Sequence, residues 1–75
     1  MKDLVEFLAK NLVANPDEVK VEEIASGRQT VFELTVARSD VGKVIGKQGR
    51  TARALRSLLK VAATKQGQRA TLEIL

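Results

Sequence analysis

Hydrophobic residues recur at two spacings along the chain, and the changes of spacing divide it into helices and strands. Leu4, Leu8 and Leu12 lie four residues apart, which predicts an amphipathic helix over residues 2–14. Pro16 ends this helix because the residue before a proline is pushed out of the helical conformation. The first predicted element is therefore a helix followed by a turn.

Hydrophobic and polar residues then alternate, as in half-buried strands. The alternation runs over residues 19–24 and again over residues 29–37, and Ser26 and Gly27 supply a turn between them. The two strands are therefore predicted to form an antiparallel hairpin. The residues of the second strand that share one face are Phe32, Leu34 and Val36.

Two helical segments flank a pair of glycines in the second half of the chain. A short helix is predicted over residues 41–45, with Ser39 and Asp40 as suitable N-caps. A long helix is predicted over residues 50–66, closed by Gly67.

The long helix has three faces on a helical wheel. The stripe expected in the core consists of Ala52, Leu55, Leu58, Leu59 and Ala62. A basic edge beside it consists of Arg53, Arg56 and Lys60, and a face of small or weakly apolar residues consists of Ala54, Ser57 and Val61. A last strand over residues 69–75 completes the order α-β-β-α-α-β.

Composition favours one small folded domain without catalytic chemistry. The 75 residues include 44% hydrophobic and 29% charged residues, which is typical of a globular chain rather than a disordered one. The absence of Cys and His removes the commonest metal ligands and nucleophile–base pairs. We therefore expect no enzyme, cofactor, metal or small-molecule substrate.

The net charge of +4 is unevenly distributed. Residues 1–37 carry four basic and seven acidic side chains, whereas residues 38–75 carry nine basic and two acidic ones. A net −3 followed by a net +7 indicates a polyanionic partner for the second half, with nucleic acid favoured over an anionic membrane surface. The alternative interpretation is a solvated basic surface without any partner.

The N-terminal segment is not a targeting or membrane signal, because Asp3, Glu6 and Lys10 interrupt its apolar residues. We therefore expect a cytoplasmic protein that does not bind membranes, in keeping with the absence of cysteine.

The segment from Val44 to Thr51, Val-Ile-Gly-Lys-Gln-Gly-Arg-Thr, joins the two helices through Gly-x-x-Gly. We call Gly46 to Gly49 the glycine turn. The missing side chains would let a nucleic-acid backbone approach the main chain closely, at the positive end of the following helix. Lys47 lies between the glycines, and Arg50 and Arg53 continue the basic track. Without these basic residues, a sharp turn between packed helices would be the better explanation.

Other phosphate-binding motifs do not fit. A P-loop requires four residues between its glycines and a hydroxyl after the lysine, whereas Gln48 follows Lys47 here. The only aromatic residues are Phe7 and Phe32, and both are predicted to lie in the core. Bases would therefore rest on aliphatic surface rather than on stacked rings.

The motif and the order of elements together resemble those of KH domains in their bacterial type II form, and the whole chain resembles the small single-domain KH proteins of the KhpA family. The resemblance implies an α+β fold over residues 1–75, with a mixed three-stranded sheet and three helices packed on one face. It also implies that single-stranded RNA binds with its backbone on the glycine turn and its bases in a groove between the following helix and a neighbouring strand. Self-association, or pairing with a larger KH-containing protein, is implied as well.

The leading hypothesis is a non-catalytic protein that binds single-stranded RNA and acts as an RNA chaperone or post-transcriptional regulator. The predicted RNA-binding residues are Val44, Ile45, Gly46, Lys47, Gln48, Gly49, Arg50 and Arg53. Among them, Val44 and Ile45 are expected to form part of an apolar surface for the bases. A protein-interaction module using the face of Ala54, Ser57 and Val61 is one alternative. Binding of duplex DNA is another.

Overall fold

Six regular elements follow one another in the order expected from the hydrophobic pattern. The computed structural model describes residues 1–75. Its helices are α1 (Lys2–Leu12), α2 (Val41–Ile45) and α3 (Arg50–Lys65), and its strands are β1 (Lys20–Ser26), β2 (Gln29–Thr35) and β3 (Arg69–Ile74). Single 3-10 turns occupy Pro16–Glu18 and Arg38–Asp40, and Lys47–Gly49 forms a tight turn with left-handed residues. No helix has the length and apolar character needed to cross a bilayer.

The strands form a mixed sheet with β2 in the centre, as the resemblance implied. β1 and β2 are antiparallel, and Ser26 pairs with Gln29, so the hairpin turn consists of Gly27 and Arg28, one residue later than predicted. β2 and β3 are parallel. A parallel pair needs a long crossover, which α2 and α3 provide.

All three helices contribute to a single core on one face of this sheet. Val5 and Ala9 enter it from α1, Val44 from α2 and Leu59 from α3. The strand residues expected to be buried are indeed buried, namely Phe32, Leu34 and Val36. The α+β architecture with helices on one face of a mixed sheet is therefore confirmed.

The other face of the sheet is not covered by any helix, and a row of glutamates crosses it. Glu22 pairs with Glu33 across β1 and β2, and Glu33 pairs with Glu73 across β2 and β3. Three glutamates therefore form one row across the sheet. Like charges opposite each other on neighbouring strands repel, so this row disfavours the approach of a polyanion to the open face.

Two residues expected in the core are exposed. Phe7 is 64% exposed because α1 turns Val5 and Ala9 inward, and Phe7 lies on the opposite side of the helix. Leu58 is 52% exposed, and the buried residues of α3 are Ala52, Leu59 and Ala63. The apolar arc of α3 is therefore wider than its buried surface.

Candidate nucleic-acid interface

The glycine turn connects α2 to α3 through three backbone conformations that are rare for residues with a side chain. Gly46 has φ +76° and ψ 174°, Gln48 has φ 58° and ψ 25°, and Gly49 has φ +74° and ψ 14°. The N–H of Gly49 donates to the carbonyl of Gly46 at 3.1 Å and closes the turn. The reversal leaves the side chains of Lys47 and Gln48 exposed.

The two glycines of the turn are required for different reasons. A Cβ on Gly46 would collide with the side chain of Thr51 and would lie 2.9 Å from its backbone nitrogen. A Cβ on Gly49 would meet no atom within 4 Å, so only the positive φ favours glycine there. Gly46 therefore allows the start of α3 to pack against the turn, and Gly49 leaves open space on the outer surface.

Two arginines of α3 donate hydrogen bonds to Gln48, one of the exposed residues of the glycine turn. Arg50 Nη2 donates to Gln48 Oε1 at 3.3 Å, and Arg53 Nη2 donates to the Gln48 carbonyl at 3.4 Å. Neither arginine forms a salt bridge, and Lys47 forms none. The turn and the first turn of α3 therefore carry three cations without an acidic partner, where no side chain caps the helix.

The two hydrophobic residues before the turn have different positions. Val44 has no exposed surface and packs in the core, so its side chain supports the turn from below and has no surface to offer to a base. Ile45 is 39% exposed and provides apolar surface beside the turn. Of the predicted base-contacting pair, only Ile45 is accessible.

Asp40 fixes the beginning of α2, but not as the side-chain cap expected from the sequence. It is fully buried, and its carboxylate accepts hydrogen bonds from the Ala14 N–H at 3.1 Å, the Asn15 N–H at 3.0 Å and Asn15 Nδ2 at 3.1 Å. Lys43 Nζ lies 3.3 Å from the carboxylate. Burial alone would raise the pKa of Asp40, but these donors outweigh it and lower the pKa below its usual value. The loop after α1 is thereby tied to the helix that carries the turn.

Beyond the glycine turn, α3 packs alongside β3, whose outer edge has no neighbouring strand. The Arg69 N–H donates to the Arg28 carbonyl, just before β2, and the Leu75 N–H donates to the Leu34 carbonyl of β2, so the alternate residues of β3 direct their backbone groups away from β2. One of these groups, the Leu72 carbonyl, accepts a hydrogen bond from Arg56 Nε at 3.3 Å. Arg56 and the exposed Lys60 therefore extend the basic track of α3 along this edge. The helical wheel predicted their common edge but not the strand that it faces.

Known proteins resemble this chain over its whole length. The profile of the family described as "KhpA/KhpB, KH domain" matches residues 2–74. The chain belongs to this family. It is 55% identical over 75 residues to "RNA-binding protein KhpA" of Halalkalibacterium halodurans, which covers 100% of this chain and 99% of the relative. The proteins of the same name from Clostridium acetobutylicum and Aquifex aeolicus are 51% and 53% identical over the whole chain, covering 100% and 95% of the relatives.

The family match includes every part of the candidate interface. The glycine turn, α3 and β3 all lie within residues 2–74. The resemblance that rested on the glycine motif and on the order of elements is thus confirmed at the level of the family.

Proposed function

We propose that this KH protein binds single-stranded RNA without catalysis, holding the RNA backbone at the glycine turn. The observation that carries the proposal is the convergence of Arg50 and Arg53 on Gln48, beside Lys47, in a turn where Gly49 leaves open space on the outer surface. Phosphates would lie against Lys47, Arg50 and Arg53. The RNA-binding names of the full-length relatives support the same ligand class.

The distribution of charge on the fold supports one orientation of the RNA. The acidic residues of the first half include Glu22 and Glu33, which form the row on the open sheet face with Glu73. The basic residues of α3 lie on the other side of the molecule, at the turn and along the edge of β3. RNA is therefore attracted to the helical side and repelled from the open sheet.

The same surface favours single strands with little base specificity. Phosphate contacts position a ligand without reading its sequence. Both aromatic residues are unavailable for stacking at this site, because Phe32 is buried and Phe7 projects from α1. Ile45 and the aliphatic parts of the arginine side chains would contact the bases. Such a protein would act as an RNA chaperone or post-transcriptional regulator, and a cytoplasmic location stays a prediction.

The decisive variant carries Lys47→Asp and Gln48→Asp. Both side chains are exposed, and Asp tolerates the left-handed conformation of position 48, so the fold should be retained. Binding of a fluorescently labelled single-stranded RNA, measured by anisotropy, should be lost. A matched control, Lys10→Asp with Asn11→Asp, makes the same charge change on the exposed end of α1 and should bind nearly as the unmodified protein does.

Two results would contradict this proposal. Normal RNA binding by the variant of the glycine turn would show that phosphates are held elsewhere. Tighter binding of a duplex DNA competitor than of single-stranded RNA would favour the duplex-binding alternative. A circular dichroism spectrum and a melting curve verify that each variant is folded.

A second candidate function is protein interaction through the outer face of α3, formed by Ala54, Ser57 and Val61. Val61 is 57% exposed, and the neighbouring Leu58 is 52% exposed, so this face offers apolar area to a partner. A second copy or a larger KH-containing protein would fit the family description, which names KhpA and KhpB together. If this is the main function, Val61→Glu abolishes association in analytical ultracentrifugation, and variants of the glycine turn leave cellular activity intact.

A further inference from the structure

A polar cleft of about 620 Å³ lies at the other end of α3 from the glycine turn. It forms where the β1–β2 hairpin turn meets the connection between α3 and β3. Its wall contains no hydrophobic and no acidic residue. Arg28 and Arg69 supply its charge, and the polar residues around them are Ser26, Gln29, Thr64 and Gln68.

The backbone holds the two arginines next to each other. The Arg69 N–H donates to the Arg28 carbonyl at 2.8 Å, where the parallel pairing of β2 and β3 begins. Gly27, with φ +61°, forms the hairpin turn before Arg28. Gly67, with φ +68°, ends α3 in a motif in which the Gln68 N–H donates to the Ala63 carbonyl at 2.9 Å. Both positions are therefore set by tight turns rather than by a long loop.

Neither arginine side chain has an internal partner. Both salt bridges of the molecule lie elsewhere, and no hydrogen bond is donated by the guanidinium of Arg28 or Arg69. Two guanidinium groups that line the same cleft repel each other, and an anion bound between them would remove that repulsion. Arg also presents a planar set of donors that matches phosphate geometry.

A continuous set of cations links this cleft to the glycine turn. An adjoining cleft of about 560 Å³ shares Arg69 with the first and adds Lys60. Arg56 lies one turn of α3 closer to Arg53. The 16 residues of α3 span about 24 Å at 1.5 Å per residue. A stacked strand advances about 3.4 Å along its axis per nucleotide, so this length corresponds to roughly seven nucleotides.

We propose that Arg28 and Arg69 form a distal site, which binds a phosphate of the same RNA strand several nucleotides away from those at the glycine turn. This inference rests on the proposed function, because it extends the path of that RNA. Linking two weak binding sites through one strand makes the second binding event intramolecular. The affinity of the protein should therefore rise with RNA length beyond the four nucleotides that a glycine turn of this kind accommodates.

The test compares single-stranded RNAs of 4 and 10 nucleotides, with NMR titration for the short RNA and anisotropy for the long one. The unmodified protein should bind the longer RNA about 100-fold more tightly, well beyond the roughly seven-fold gain that its seven overlapping four-nucleotide registers give without a distal site. Arg28→Gln with Arg69→Gln should leave binding of the short RNA unchanged and remove most of the increase in affinity with length. The slope of log affinity against log salt for the long RNA should become shallower by about 0.7 for each phosphate that the variant no longer neutralises.

The control variant Lys2→Gln with Lys20→Gln removes the same charge outside both sites and should keep the increase in affinity with length. Equal binding of both RNAs by the distal variant and the unmodified protein would overturn the distal site, and so would the absence of any increase with length in the unmodified protein. If Lys47→Asp with Gln48→Asp binds both RNAs normally and only the distal variant loses the increase, the distal site stands and the proposed role of the glycine turn fails.

Discussion

Replacing the glycines around the turn by alanine, one at a time, tests the geometry on which the site depends. Gly46 lies in a region of φ and ψ that is essentially restricted to glycine, which costs another residue about 1–3 kcal/mol. The clash of a new Cβ with Thr51, whose backbone nitrogen would be 2.9 Å away, adds overpacking of roughly 1–3 kcal/mol. Gly46→Ala should therefore lower the free energy of unfolding by about 2–6 kcal/mol.

Alanine variants of Gly49 and Gly42 serve as comparisons for this loss of stability. Gly49→Ala meets no atom and has only the left-handed conformation to overcome, about 1–2 kcal/mol, partly offset by a less flexible unfolded chain. Gly42 lies inside α2 without a positive φ, and its Cβ would also meet nothing, so Gly42→Ala should raise the free energy of unfolding by about 0.5–1 kcal/mol.

Urea denaturation followed by circular dichroism measures the series. With a slope of about 1 kcal/mol/M for a small domain, a loss of about 2 kcal/mol moves the midpoint down by roughly 2 M. The expected order of midpoints is Gly42→Ala, unmodified protein, Gly49→Ala and Gly46→Ala, from highest to lowest. Similar midpoints for the Gly46 and Gly49 variants would refute the close packing of Thr51 against the turn.

Three further predictions concern charge. The pKa of Asp40 is lower in the folded protein than in the unfolded chain, so its ionised carboxylate stabilises the fold at neutral pH, and this stabilisation is lost as the pH falls through the folded pKa. Asp40→Asn should therefore have a lower free energy of unfolding at pH 7 in urea titrations, and its difference from the unmodified protein should shrink below about pH 4. A difference independent of pH would disprove the linkage. Glu33→Gln should raise the free energy of unfolding by about 0.2–1 kcal/mol at low salt, because Glu33 has a glutamate on each side, whereas Glu23→Gln, with Phe32 opposite, should not; equal effects would contradict the repulsion. RNA affinity should fall with salt at a log–log slope of about −2 for three phosphates at the glycine turn, and Lys47→Gln should reduce that slope by about 0.7; affinity insensitive to salt is incompatible with phosphate binding.

The order of elements and the location of the glycine turn were predictable because they depend on local signals. Periods of two and four residues mark strands and helices, and Gly67 ends α3 as expected. The family was predictable as well, because the motif and the element order together are more specific than either one. Each of these signals lies within a short stretch of chain.

The orientation of helices against the sheet could not be derived in the same way. Apolar periodicity gives the width of an arc but not the part of the arc that meets a neighbour, so the prediction that Leu58 and Phe7 lie in the core is wrong. The resemblance also placed Val44 at an apolar surface for the bases, whereas its side chain is fully buried in the core. Local spacing therefore does not determine how much of an apolar face is accessible or buried.

Long-range pairing accounts for the remaining features. Asp40 is predicted as an N-cap from its place before α2, but its carboxylate accepts hydrogen bonds from Ala14 and Asn15, which are 26 and 25 residues away in the sequence. Arg28 and Arg69 are brought together by the parallel pairing of β2 with β3, which no local pattern specifies. Such contacts form only when segments that are distant in the sequence pack together around the core.

The most direct test of RNA binding at the glycine turn is an NMR titration of the labelled protein with a short single-stranded RNA at low salt. Binding at this turn predicts saturable shifts of backbone amides from Ile45 to Arg53 and along the edge of β3, with little change at Glu22 and Glu33 on the open sheet face. Saturable shifts centred on the sheet face, or on Ala54, Ser57 and Val61 with none at the glycine turn, would contradict it.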